Sequence, residues 1–260
     1  MKNLIIAILF ILTVNQVANA SVIISNGLTH NLDLSSKTIK DGKVVLKNIG
    51  NKSQSIKIYF NDLVSDCSGK IDYVKAGENL ESLYPFVSVN TSDYTLQPGE
   101  EYELSYRVDL TKNSLENGSL WVLLMVEVVD PISKSSSQGF EIGSKIRYAV
   151  QLIANIGQKN AEAISFSNVK IGKDINDQRI LEAAVKNDGK YMAIPVVNIQ
   201  IFDDKGQKVK DLAVPSKKIY PRNCQNFVLP LADLPKGKYQ AVLLAEYLEE
   251  SIGVNIDLEI

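Results

Sequence analysis

The residues able to do chemistry are few. One histidine, His30, sits in the run Thr29-His30-Asn31-Leu32-Asp33, and a lone imidazole cannot assemble a zinc site. The two cysteines, Cys67 and Cys224, have no companion at metal-ligand spacing. Read alone they are two separate buried or half-buried thiols. The alternative is a disulfide, permitted in an exported chain, which would have to cross between two domains. Asp174-Ile175-Asn176-Asp177 carries oxygen ligands at loop spacing, but without the glycine and distal glutamate of an EF-hand loop it reads as a solvated turn. No G-x-S-x-G elbow, Walker loop or G-x-G-x-x-G occurs, so serine hydrolysis and nucleotide binding lack support. The expectation is a protein with no catalytic residue, metal or cofactor, working through its surfaces.

One strand draws attention as such a surface. Lys145 and Arg147 alternate with Ile146 and Tyr148, and the alternation continues through Val150 and Leu152. Charge thus lies on one face and large apolar groups on the other. These six residues are the candidate partner-binding set. Trp121, in Leu120-Trp121-Val122-Leu123-Leu124-Met125-Val126, belongs to a run that is apolar on both faces, as expected of a central strand with one side on the core and the other on a second domain or a partner. Asn51-Lys52-Ser53, Asn90-Thr91-Ser92 and Asn117-Gly118-Ser119 fit the glycosylation triplet.

The elements that hold these residues are strands. Tyr102, Leu104, Tyr106, Val108 and Leu110 share one face against Glu103, Ser105, Arg107 and Asp109. Ile252, Val254, Ile256, Leu258 and Ile260 alternate in the same way with polar residues. Turn signals punctuate the chain at Asp41-Gly42, Pro98-Gly99, Asn117-Gly118, Asn187-Asp188-Gly189, Asp203 to Gly206 and Pro235-Lys236-Gly237, a spacing typical of sandwiches. Leu234 to Tyr239 matches the approach to a tyrosine corner. Met1-Lys2-Asn3, the apolar run Leu4 to Val14 and Ala18-Asn19-Ala20 form a signal peptide, residues 1–20, with cleavage after Ala20. The remaining 240 of 260 residues suit two domains, placed at 21–157 and 158–260. The polar run Lys134 to Gly139 reads as a hairpin tip. The fold expected is all-β: two immunoglobulin-like sandwiches in tandem, periplasmic or extracellular. A net charge of -2 with 22% charged residues gives no long-range pull on nucleic acid or anionic membrane, and nothing after the signal is expected to insert into a bilayer.

From Ser82 to Gly157 the order of features resembles the N-terminal domain of PapD-like periplasmic pilus chaperones. Tyr84-Pro85-Phe86-Val87-Ser88-Val89 followed by Tyr94-Thr95-Leu96-Gln97-Pro98-Gly99-Glu100 is similar to that family's P-F-x-V-x-P and L-x-P-G-x passage. Gly118 to Leu124, running on to Asp130-Pro131, resembles its strand rich in Trp and Leu. Ile146-Arg147-Tyr148-Ala149-Val150-Gln151-Leu152 resembles the strand that leads into its second domain. The resemblance implies a chaperone that holds a pilin-type subunit by lending it a strand of alternating large apolar residues. It also implies two basic side chains anchoring the subunit's C-terminal carboxylate, an Arg on the first strand and a Lys on the last strand of the first domain. Lys145 or Arg147 would fill the second role, whereas Val22 to Leu34 contains no arginine for the first. A second resemblance, in Val185 to Gly189 and Leu234 to Tyr239, is to cell-surface proteins that bind WxL-type wall proteins and to fibronectin-like modules. It implies an exported adhesion module, although the membrane helix usual in the WxL-binding group has no counterpart here.

Overall fold

A computed structural model describes residues 21–111, 116–129, 132–135, 141–159 and 164–260, with backbone alone at 132–135 and 141–144. The expected signal peptide, and positions 136–139 of the expected hairpin tip, lie outside the described residues. The first sandwich contains β1 (Val22–Ile24), β2 (Thr29–Leu34), β3 (Ile39–Asn48), β4 (Gln54–Ser65), β5 (Ile71–Lys75), β6 (Val87–Val89), β7 (Asp93–Leu96), β8 (Glu101–Asp109), β9 (Gly118–Val128), the short hairpin β10 (Ile132–Ser135) and β11 (Glu141–Ser144), and β12 (Arg147–Ile156). The second contains β13 (Ile164–Lys173), β14 (Arg179–Asn187), β15 (Val196–Phe202), β16 (Lys208–Val214), β17 (Asn223–Pro230), β18 (Lys238–Tyr247) and β19 (Glu250–Glu259).

Alternation decides which face each strand buries. In β8 the residues Leu104, Tyr106 and Val108 are buried while Glu103, Ser105 and Arg107 are exposed. The period-2 pattern thus becomes a half-buried strand. A four-stranded sheet, β1-β3-β8-β6, faces a second sheet ordered β2-β12-β9-β4-β5, with β7 also on β4. Their inner faces close one core around Leu46, Leu104, Leu124, Val150 and Leu152. The stretch expected as a single first strand is two: β1 pairs antiparallel with β3, and β2 crosses to pair parallel with β12. Gly27, at φ 91°, takes the corner. In the second sandwich, sheets β13-β14-β17 and β16-β15-β18-β19 enclose Leu181, Ile199, Phe227 and Leu243. Its tyrosine corner is present, with Tyr239 OH donating to Pro235 O at 3.0 Å.

The same polar device closes one corner in each sandwich. Asn48, the last residue of β3, is fully buried; its Nδ2 donates to Lys52 O and Leu96 O, and its Oδ1 accepts from Gly50 N. Asn187, the last residue of β14, donates to Tyr191 O and Ile219 O and accepts from Gly189 N. Each amide therefore ties three backbone segments together and leaves no buried polar group of its own unpaired.

Two expectations are corrected. Asp41-Gly42 is not a turn but lies within β3, where Gly42 makes room for the Tyr106 ring: a Cβ there would come within 2.3 Å of it. The cysteines are not separate thiols. Cys67 and Cys224 form a disulfide with Cα atoms 4.6 Å apart across 157 residues of chain. The tip of the β4–β5 hairpin reaches the start of β17, where Asn223 Nδ2 donates to the Ser65 carbonyl and hydroxyl, bringing the two Cα atoms within bridging range. The outer face of β9 explains the doubly apolar run around Trp121. Trp121, Leu123 and Met125 join Leu63 and Ile153 in a third cluster completed by Met192 and Tyr220 of the second sandwich.

Candidate partner-binding cleft

β12 and the two residues that precede it meet three different surroundings. Val150 and Leu152 are fully buried in the first core. Ile146 and Tyr148 are half-buried against the same core, and the Tyr148 hydroxyl donates to Val22 O. Lys145 and Arg147 point the other way and converge on Glu127, at 3.3 and 2.7 Å, with Tyr59 OH donating to the same carboxylate at 3.2 Å. Burial opposes ionisation of Glu127, yet the hydrogen bonds from Arg147, Lys145 and Tyr59 hold its carboxyl below the ordinary range. Of the six residues chosen from the sequence, Arg147, Tyr148, Val150 and Leu152 lie on β12 while Lys145 and Ile146 directly precede it, and the two basic groups already have an anion.

The edge of β12 is only half covered. β9 pairs along its whole length, from Arg147 to Ile156, whereas β2 pairs only from Gln151 to Ile156. Among the described residues no strand pairs with Arg147–Val150 on the β2 side. An uncovered edge of this kind offers main-chain donors and acceptors to an added strand. Beside it lies a groove of about 530 Å³ lined by Leu28, Tyr59, Tyr73, Met125, Ala149 and Arg147, among others. Leu28 and Tyr73 are exposed.

A cation that sequence reasoning missed sits where β2 begins. Lys218 Nζ, from the second sandwich, donates to Gln151 Oε1 at 2.6 Å and Thr29 Oγ1 at 3.0 Å. Gln151, itself buried, donates in turn to Tyr220 OH. The Tyr220 ring packs on Trp121 with centroids 4.6 Å apart, and Trp121 Nε1 donates to Leu63 O at 2.8 Å. Among the described residues no carboxylate lies within ion-pair distance of Lys218. Burial pushes its pKa below the ordinary lysine value. A half-buried ammonium held only by neutral acceptors retains capacity for an anion. Lys218 is 67 positions from Gln151 in the chain, and no motif spacing joins them.

His30 lies on β2 beside this point, opposite Leu152 in the parallel ladder. Its Nδ1 shares a hydrogen bond of 3.0 Å with Tyr106 OH, while its Nε2 is buried and has no partner within hydrogen-bond geometry among the described residues. Burial lowers the His30 pKa from its ordinary 6.5, so the unfolded chain binds the proton more readily than the folded one. Stability is then complete above pH 6.5 and is lost as pH falls from there toward the lower folded value. Melts taken down to the onset of carboxylate protonation should show this decline, and His30→Asn should flatten it. An unchanged slope in the variant would remove His30 as the cause.

No protein-family model matches the chain, and no curated protein matches it in sequence. Solved structures do match in shape. One is described as a chaperone–tip adhesin complex of CFA/I fimbriae biogenesis: 14% identity, TM-score 0.50, covering 92% of this chain and 98% of that one. Another is the class 5 fimbriae chaperone CfaA, at 14% identity and TM-score 0.51, covering 90% of this chain and 98% of that one. Across nearly its whole described length, and not only from Ser82 to Gly157, this chain has the two-sandwich fold of the PapD-like fimbrial chaperones.

Proposed function

We propose that this chain is an exported, non-catalytic chaperone-like protein that holds a subunit of a surface fibre by strand addition at β12, with the cleft cation at Lys218 receiving the subunit's C-terminal carboxylate. The observation that carries the reading is the alignment of an open edge with a cation that has no carboxylate partner among the described residues. Among the described residues Arg147–Val150 lacks a neighbour on one side, and the gap ends where β2 starts, at Thr29 and Lys218. A strand lying in that gap in line with β2, and running in the same direction, finishes at the ammonium. Run the other way, it would bring a terminal ammonium to Lys218 and be repelled. Main-chain bonds supply affinity for any extended segment, and the groove beside Ala149 and Met125 supplies preference among side chains.

In this reading Ile146 and Tyr148, half-buried at the free end of β12, are the side chains that a subunit's groove can reach. Val150 and Leu152 hold the strand to its own core. Lys145 and Arg147 flank the edge and keep Glu127 ionised, while the anchoring role passes to Lys218. The two sandwiches part at Gly157, the signal peptide directs export to the periplasm, and the partner is a protein. The test is capture. The tagged chain, purified from the exported fraction of its host, is expected to bring down one small β-rich subunit in equal amount, and to lose it when that subunit's last residues are removed. A chain that purifies alone, with every fibre subunit of the host present in the same extract, would overturn the proposal.

A further inference from the structure

The strand registers lay out the outer face of the sheet containing β12 in rows. Ala149, Met125 and Tyr59 form one row, Thr29, Gln151, Leu123 and Asn61 the next, and Ile153 and Trp121 lie in a third. Met192 and Tyr220 of the second sandwich cover the third row. The groove lined by Ala149, Met125, Tyr59 and Asn61 reaches from the first row into the second. It therefore runs up to the wall from which Lys218 and Tyr220 project, and both of these side chains meet Gln151.

Donor and acceptor capacities orient these contacts. An ammonium only donates, so the oxygen of the Gln151 amide faces Lys218 and its NH2 end donates to Tyr220 OH. Tyr220 thus accepts with its oxygen and keeps its own proton, for which the described residues supply no acceptor. Lys218 places two of its three protons, on Gln151 and Thr29, and keeps the third. Tyr220 is only 6% exposed, and a buried donor without an acceptor is costly. Burial pushes its pKa up, against the bond from Gln151, and Tyr73 of the groove wall adds to the rise, so the hydroxyl stays protonated. Two unused protons therefore stand at the two ends of one flat amide. A carboxylate is flat, spans the same three atoms and offers an acceptor at each end.

We propose that Tyr220 is the second donor of a two-point carboxylate seat, its hydroxyl taking one oxygen of the ligand and the Lys218 ammonium the other, with Gln151 as the positioning residue that sets their spacing. The seat is selective for a carboxylate over the corresponding amide, because an amide carries no charge and turns a donor toward one of the two donors. That the carboxylate is the C-terminus of a fibre subunit rests on the function proposed above; the two-donor chemistry does not.

The probe is N-acetyl-alanyl-alanine as the free acid, with its C-terminal amide as control, titrated into the full chain and followed by nuclear magnetic resonance of the Gln151 side-chain amide and the Lys218 Cε group. The free acid is expected to shift both signals and the amide neither. Tyr220→Phe keeps the ring that packs on Trp121 and removes only the hydroxyl. It should weaken binding of the acid by about tenfold to a hundredfold, with Lys218 still titrating below the ordinary lysine value. Undiminished binding by Tyr220→Phe would overturn the second donor. So would a Lys218 titration returned to the ordinary value in that variant, because Tyr220 would then be a prop for the ammonium and not a ligand of the anion. A native chain that does not distinguish acid from amide removes the seat altogether. A chain that takes the acid but captures no fibre subunit fails the functional reading and leaves the two-donor seat standing.

Discussion

Lys218→Glu is expected to abolish subunit capture, weakening Kd by at least a hundredfold. Lys218 is half-buried and, among the described residues, donates to the neutral oxygens of Gln151 and Thr29, so a carboxylate brought to it is largely desolvated. Removing one partner of such a pair costs about 3–5 kcal/mol, which is roughly two to three and a half powers of ten in Kd. Charge reversal adds repulsion to that loss. The neutral Lys218→Met separates charge from shape. A subunit whose C-terminus is amidated should lose affinity for the native chain and lose nothing further with Lys218→Met, because the two changes remove the same contact. Equal affinity of the native chain for both forms of the subunit would sink the anchor. The depressed Lys218 pKa adds a pH signature: binding should weaken on the alkaline side before ordinary lysines discharge, and Lys218→Met should abolish that limb.

The second large effect is on folding. Val150→Asp is expected to unfold the first sandwich at room temperature. Val150 has no exposed surface and lies in the core with Leu46, Leu104 and Leu124. An unpaired polar group there costs several kcal/mol, more when charged, against a total domain stability of about 5–15 kcal/mol. Ile146→Asp, four positions earlier and just before β12, where the side chain is half-buried, should leave the melt intact and remove subunit binding. On the proposed boundary at Gly157, a melt of Val150→Asp should retain one cooperative transition, that of the second sandwich. Complete loss of cooperativity would count against the boundary. A native-like melt for Val150→Asp would contradict the packing of β12 itself.

The pair of substitutions also shows how far the sequence could be read. The alternation Ile146, Tyr148, Val150, Leu152 identifies a strand and separates its two faces, because a period of two is visible in any window. It does not say whether the apolar face meets its own core or a partner, since both environments select the same residue types. Only the pairing of β2, which stops at Gln151, divides the strand into a covered half and an open half. Asp41-Gly42 read as a turn because glycine punctuates turns more often than it makes room for a ring, and the ring in question, Tyr106, is 64 positions away. The disulfide and Lys218 were illegible for a related reason. Neither spacing nor periodicity carries information about contacts across 157 or 67 residues; those follow from how two sandwiches meet. The fold was legible because strands, turns and the tyrosine corner are local signals.

The twin asparagines bear on ancestry. Lys47-Asn48-Ile49-Gly50 and Lys186-Asn187-Asp188-Gly189 end equivalent strands, β3 and β14, and bond at the same offsets, two and four residues onward. Aligning the halves on these tetrapeptides lays β3–β4 over β14–β15, the correspondence a duplicated module would leave. A profile built on that one corner, a lysine and a buried asparagine closing an apolar strand with glycine two places on, should therefore find distant kin of either half, including proteins that carry a single sandwich, where whole-chain sequence comparison matches none.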